Sequence, residues 1–346
     1  MRPARATSDR RRERELERVR PAPGSAILFA PMSDSTVSAW PRRAAWLACL
    51  ATFPIFLIGG TVTTLRVGMA VPDWPTTFGQ NMFTYPLSEM LGNTGVFWEH
   101  SHRLWGAFVG LCIVALALAV WFGERRKGVR WLALFALLGV VGQGVLGGLR
   151  VTENSPELAF LHGSLAQALF ALLAAILFLA SKTWSVAPRT QFANEAKLRA
   201  LSTLALTIVY VQTGFGAWLR HSGLAFAQAV HVLFAIVATW IVVVLAIELR
   251  RSGTPELTRI ARWLRALVWT QVSLGILAWV SVYVLTGPHN PVSISEAVFA
   301  TAHVACGALL LSACVAALVF VRRPYATRSA EVSVDRASAS SLGTAR

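Results

Sequence analysis

From residue 44 onward the chain reads as long apolar runs broken by short polar stretches. Eight runs stand out, at 44–65, 97–122, 131–149, 158–180, 200–220, 225–247, 263–285 and 296–321. Each approaches the roughly 20 residues that an α-helix needs to cross a bilayer. The pattern predicts an all-α membrane protein with eight transmembrane helices. The polar breaks differ in charge. Glu124-Arg125-Arg126-Lys127-Gly128-Val129-Arg130 follows the second run, Lys182, Arg189, Lys197 and Arg199 follow the fourth, and Arg250, Arg251, Arg259 and Arg262 follow the sixth. The alternate breaks, 66–96, 150–157, 221–224 and 286–295, hold basic residues only as single arginines at helix ends. Basic loops stay in the cytoplasm, so both termini are expected there and the long loop after the first helix outside.

Composition agrees with this. Only 14% of the residues are charged and 55% are hydrophobic, against about a quarter charged in a soluble domain. The net charge of +15 raises the question of nucleic acid. It is excluded as a partner, because the arginines are scattered over tails and short loops without forming a folded basic face. The bilayer is the expected partner. Cys49, Cys112, Cys306 and Cys314 all fall inside apolar runs without C-x-x-C spacing, and read as packing residues. Residues 1–43 are expected to form a disordered basic tail. Its first 31 residues carry eight arginines without the apolar core of a signal peptide, and Met32 is an alternative start. A second disordered tail is expected over 322–346.

The halves resemble one another. Gln-x-x-x-Gly recurs at Gln143/Gly147, Gln212/Gly216 and Gln271/Gly275, and the first, third and fifth helices end in Arg66, Arg150 and Arg220. The recurrence suggests two pseudo-symmetric four-helix bundles, 44–180 and 199–321, joined by a cytoplasmic linker over 181–198 and related by an axis along the membrane normal. Four of the seven histidines take matching places one to two turns into the even helices: His102, His162, His231 and His303. At 1.5 Å per residue they are expected about 5–10 Å below the outer surface. Each is followed four residues on, on the same helix face, by a small residue: Gly106, Ala166, Ala235 and Gly307. A histidine with space beside it can hold a flat macrocycle edge-on, and paired histidines across a bundle are a standard haem-iron ligand set. The expected pairs are His102 with His162 and His231 with His303. Zinc fits less well, because no third ligand lies at compact spacing. His100, His221 and His289 fall outside the pattern and are expected to be solvated or interfacial, with His100 kept as an alternative ligand.

Two further sets carry chemistry. Arg66, Arg150 and Arg220 close outer helix ends, where guanidinium forks could pair with haem propionates. The seventh helix departs from this, offering Ser281, Tyr283 and Thr286. Glu99 lies three residues before His102 on the same face, and neither His162 nor His231 has a carboxylate at that offset. An ionisable cluster such as Glu99-His100-Ser101-His102-Arg103 at the mouth of a membrane helix marks a functional site. The ordinary alternative for Glu99 is an interfacial acid paired with Arg103.

Taken in order, several motifs resemble the haem A synthases of cytochrome oxidase assembly. They are Gly59-Gly60-Thr61-Val62-Thr63-Thr64-Leu65-Arg66, Val71-Pro72-Asp73-Trp74-Pro75-Thr76, Glu99-x-x-His102-Arg103, Gly147-Gly148-Leu149-Arg150, His162, Arg220-His221-Ser222-Gly223, His231 and His303. The likeness covers residues 44–321. It implies oxidation of the C8 methyl of haem O to a formyl group, in two oxygenations through an alcohol to the hydrated aldehyde. Glu99 would be the essential acid, His102 and His162 the ligands of the substrate haem, and His231 and His303 those of a haem b that relays electrons. The implied setting is the inner cell membrane with haem sites towards the extracytoplasmic side. The implied partners are haem O synthase (the protohaem farnesyltransferase), oxidase assembly factors and an electron donor or acceptor the chain does not name. Some members carry two cysteines in the first outer loop; this one has none, so a thiol relay there is excluded. The rival readings are a di-haem b-type cytochrome that only carries electrons and a haem-handover module without chemistry.

Overall fold

The computed structural model describes residues 38–185, 194–287 and 290–323. Met32, Arg189, His289 and all of the expected tails but residues 38–43 and 322–323 lie outside the described residues; residues 40–43 form the first turn of a helix, not a disordered tail. Among the described residues, eight helices are long and apolar enough to cross a membrane: α1 Trp40–Thr64, α2 Thr94–Gly123, α3 Lys127–Thr152, α4 Pro156–Leu179, α5 Glu195–Ser222, α6 Ala225–Arg251, α7 Pro255–Val280 and α8 Ile294–Val321. The chain is a multi-pass, all-helical membrane protein. Most helices run past the apolar stretches that predict them. Polar flanking residues continue the backbone ladder or cap it: Asn93 accepts from Gly95 N and Val96 N, Ser155 from Leu158 N and Ser293 from Glu296 N. Such caps satisfy donors that a helix start leaves open. α7 passes into a π-helical turn over Ser281–Thr286, which holds the three residues that stand in place of a terminal arginine.

Helices α1 to α4 close into one ring, each packing on the next and α4 on α1, and α5 to α8 close into another. The rings meet where α8 lies against α1 and α4, and α4 against α5. α8 is therefore the central pillar, with 67% of its apolar window buried against 11% for α7. Its Ala313, Ala316 and Ala317 are buried. In lipid no hydrophobic force drives helices together, so close approach of small residues and dispersion contacts carry the association.

Each ring is packed at one end and looser at the other. Ala45, Ala48, Ile113, Leu116, Leu173 and Ile176 fill the first ring at the end where α2 and α4 finish, and Leu198, Leu245, Leu249, Leu264 and Cys314 do the same in the second. The four matched histidines lie at the opposite end. They sit six to nine residues beyond their helix starts, hence about 9–14 Å in at 1.5 Å per residue. Three of the four helices begin two or three residues before their apolar runs, and α6 begins with its run at Ala225.

The packed end of the first ring is tied by a buried ion pair. Glu124 and Arg126, 4% and 6% exposed, bond at 2.6 Å. Arg126 also donates to the Leu179 carbonyl at 3.0 Å and covers the Trp184 ring. Burial pushes the Glu124 carboxyl up, but hydrogen bonds from Arg126 more than offset this and hold it below the usual range. Such a group stabilises the fold above its unfolded-state pKa, near 4.3, and the contribution fades as pH falls through the lower folded value. Glu124→Ala should cost about 3–5 kcal/mol at neutral pH, the loss typical of a broken buried pair. Thermal melts of the detergent-solubilised protein should show the gap between wild type and variant closing below about pH 4; a gap that is constant with pH argues against the pair.

Candidate functional site

The site begins with four histidine–glycine contacts. On α1, α3, α5 and α7 a glycine faces the histidine of the following helix. A Cβ placed on Gly59 would lie 2.8 Å from His102 Cε1, on Gly147 3.2 Å from His162 Cε1, on Gly216 3.1 Å from His231 Cε1 and on Gly275 2.9 Å from His303 Cε1. Any side chain there would push the ring, so the bare backbone seats it. The rings meet in pairs across each ring of helices. The centres of His102 and His162 are 6.2 Å apart at 78°, and those of His231 and His303 6.1 Å apart at 80°.

Two imidazoles on one metal ion, at bonds of roughly 2 Å, put their ring centres about 6 Å apart. The paired residues therefore fit the axial ligand set of a haem iron. Among the described residues no group of three or more His, Cys, Asp or Glu converges, whereas a haem iron takes its remaining ligands from the macrocycle. Space beside the histidines is uneven. A Cβ on Gly106 would meet nothing within 4 Å, whereas on Gly307 it would lie 3.4 Å from the Gln271 amide nitrogen. The expected open slot is present beside His102 and taken up by Gln271 beside His303.

Three of the four rings have a polar partner four residues before the seating glycine. The Gln143 amide, oriented to satisfy both its ends, lies 2.9 Å from His162 Nδ1 and accepts from Ala166 N at 3.0 Å. Gln212 Nε2 donates to the His231 carbonyl at 2.9 Å and lies 3.1 Å from His231 Nδ1. His303 Nδ1 donates to the Gln271 carbonyl at 3.0 Å, and the Gln271 amide nitrogen faces His303 Nε2 at 3.2 Å. The repeated Gln-x-x-x-Gly is thus a histidine seat, a meaning that spacing within one helix could not reveal. α1 has Ile55 at the equivalent place, and His102 Nδ1 is buried without a partner.

Glu99 is 3% exposed and fully engaged. Its Oε1 accepts from Arg103 Nη2 at 2.9 Å and its Oε2 from Val71 N at 2.9 Å. Arg103 also donates to the carbonyls of Val71 at 2.7 Å, Asp73 at 2.6 Å and Thr76 at 3.0 Å. The interfacial pairing with Arg103 is present, though buried, and it latches the long loop to α2. No hydrogen bond joins Glu99 to His102 among the described residues. The loop is also seated on α3, where the Trp74 ring lies directly on Gly148 and Arg150 Nη2 donates to the Gly68 carbonyl at 2.6 Å. It thus covers the histidine end of the first ring.

His100 departs from expectation. It is not interfacial but 2% exposed, with Nδ1 3.1 Å from Thr77 Oγ1 and its ring 5.3 Å from that of Tyr85. The loop buries it, from residues 15 to 23 positions away in sequence. His221 is half-buried, with a Cβ on Gly163 falling 3.8 Å from its Nε2. The three terminal arginines converge. Arg66, Arg150 and Arg220 line one cavity of about 230 Å³ with Thr63, Ser155 and His221, and no carboxylate is in its lining. Arg220 reaches out of the second ring to donate to the Gly60 carbonyl at 3.0 Å and Thr64 Oγ1 at 2.8 Å on α1. Each arginine read separately closes a helix; together they make a cationic chamber at the seam.

Comparison with known proteins gives the family of the chain. Residues 42–229 match the family COX15-CtaA, cytochrome oxidase assembly protein. Proteins named heme A synthase are similar to the chain. One from Exiguobacterium sp. AT1b is 28% identical over 179 residues, 50% of this chain and 55% of that protein. One from Bradyrhizobium diazoefficiens is 34% identical over 221 residues, 54% of this chain and 59% of that protein. One from Rhodospirillum centenum is 28% identical over 312 residues, 69% of this chain and 80% of that protein. The chain spans a little over half the length of the first two. The family match takes in Glu99, His102 and His162 and stops two residues short of His231. The chain belongs to the cytochrome oxidase assembly protein family of the haem A synthases.

Proposed function

We propose that the chain is a haem A synthase, oxidising the C8 methyl of haem O to a formyl group through an alcohol and its hydrated aldehyde. The observation that carries this reading is the meeting of four histidines as two ring pairs, with a buried carboxylate, Glu99, three residues before His102 and none at that offset before the other three. His102 and His162 take the substrate haem, and His231 and His303 hold haem b. When bound, that haem supplies one-electron redox capacity within the membrane.

The chain's own residues do the rest. The glycine seats fix the four rings. Arg66, Arg150 and Arg220 pair with propionates in the chamber at the seam. The loop pinned by Arg103 and Trp74 limits water at the reacting edge. Glu99 exchanges a proton at a carboxylate oxygen that Arg103 and Val71 N hold in place. The two rings of helices are pseudo-symmetric bundles about an axis along the membrane normal. Both termini face the cytoplasm, so the histidine ends face outward from the inner cell membrane. Haem O arrives from the farnesyltransferase that makes it, and the product passes to oxidase assembly.

The test is extraction of pigment from membranes that contain the chain and a source of haem O. Haem A should accumulate. Retention of haem b with no haem A would leave only an electron carrier or a handover module.

A further inference from the structure

Three of the four histidines are held by a second group and one is not. His162, His231 and His303 each meet the glutamine that stands four residues before their seating glycine, at 2.9 Å for Gln143, 3.1 Å for Gln212 and 3.0 Å to the Gln271 carbonyl. His102 sits on Gly59 in the same way, with Cε1 again its nearest atom, but α1 offers Ile55 and leaves Nδ1 buried and unpartnered. The departure is confined to one position of a repeat whose other parts are preserved.

A partner on the far nitrogen of a ligating imidazole restrains the ring's orientation, and the glutamine amides hold the His162 and His231 rings in this way. His303 is held at both nitrogens: Nδ1 donates to the Gln271 carbonyl and Nε2 faces the Gln271 amide, which must withdraw for the Nε2 lone pair to ligate. His102 has no such restraint. Gly106, one turn deeper, also leaves open space beside it.

We infer that Gln143, Gln212 and Gln271 are positioning residues that grade haem retention, and that Ile55 makes His102 the ligand that releases first. The first ring is then an exchange site and the second a resident site. The difference suits an enzyme that must take up and discharge one macrocycle per turnover while keeping another. The inference rests on the bis-histidine reading and adds to it which site turns over and why.

The experiment uses the full chain, purified in detergent and loaded with haem b alone in both sites. Transfer to excess apomyoglobin is followed by absorbance, and the low-spin signals by electron paramagnetic resonance. Wild type should lose haem in two phases. Ile55→Gln should slow the faster phase about tenfold or more, and Gln212→Leu should speed the slower one by a similar factor, the range typical of partners behind a metal ligand. Gln143→Leu should speed the faster phase further, which keeps the idea testable if Ile55→Gln does not fold. Each change should also shift the low-spin signal of its own pair alone. A single phase in wild type, or unchanged rates in folded Gln212→Leu and Gln143→Leu, overturns the inference. Two graded phases in a protein that makes no haem A would sustain it while removing the enzyme reading. A protein that binds no haem b removes both.

Discussion

Glu99→Gln is expected to lower haem A formation by about 10²–10⁴-fold, the range for losing a positioned acid or base, while both histidine pairs stay loaded. Glutamine is the informative change. Its one amide oxygen can accept from Val71 N or from Arg103 but not from both, while Arg103 keeps its donations to the Val71, Asp73 and Thr76 carbonyls, so most of the loop latch survives but no proton can be exchanged. Glu99→Ala confounds two effects. Both changes remove the counter-charge of the Arg103 guanidinium, whose side chain is only 9% exposed, but alanine also removes every acceptor for Arg103 and Val71 N at this position. Breaking such a pair costs about 3–5 kcal/mol, enough to loosen the loop over the first ring. Haem content and haem A are measured together in membranes expressing each variant. Full conversion by Glu99→Gln would reduce the residue to a latch.

His303→Ala should abolish the low-spin haem b signal of the second ring and leave less than about a tenth of its haem after purification, since one of two axial ligands is gone. The change falls far from Glu99 and removes no part of the loop latch. Its effect on haem A formation therefore reports whether the second ring serves the first. His231→Ala should match it, because the two rings meet at 6.1 Å. An unaltered visible spectrum in either variant would falsify the assignment of that pair.

Hydropathy alone predicts the eight helices, and position along them singles out the four histidines. What stays hidden depends on contacts between distant segments. His100 reads as interfacial because nothing near it in sequence encloses it; Thr77 and Tyr85 of the loop do so in the fold. Arg103 reads as a local partner for Glu99, whereas three of its contacts are loop carbonyls 27 to 32 residues away. The repeated glutamine and glycine are visible in the sequence as a repeat, but their purpose lies on the neighbouring helix. The three arginines are spaced 84 and 70 residues apart, and only the ring closure of the helices gathers them.

Arg220 has one more consequence. It belongs to the second ring, yet it holds the carbonyl of Gly60, which adjoins the Gly59 seat of His102, and α8 reaches the same glycine through Thr301. Occupancy of one ring that shifts this guanidinium changes affinity in the other, and linkage requires the effect to be equal in both directions. On the proposed assignment, loading one histidine pair would then tune how readily the other fills, with Arg220 one of the contacts that join the two rings.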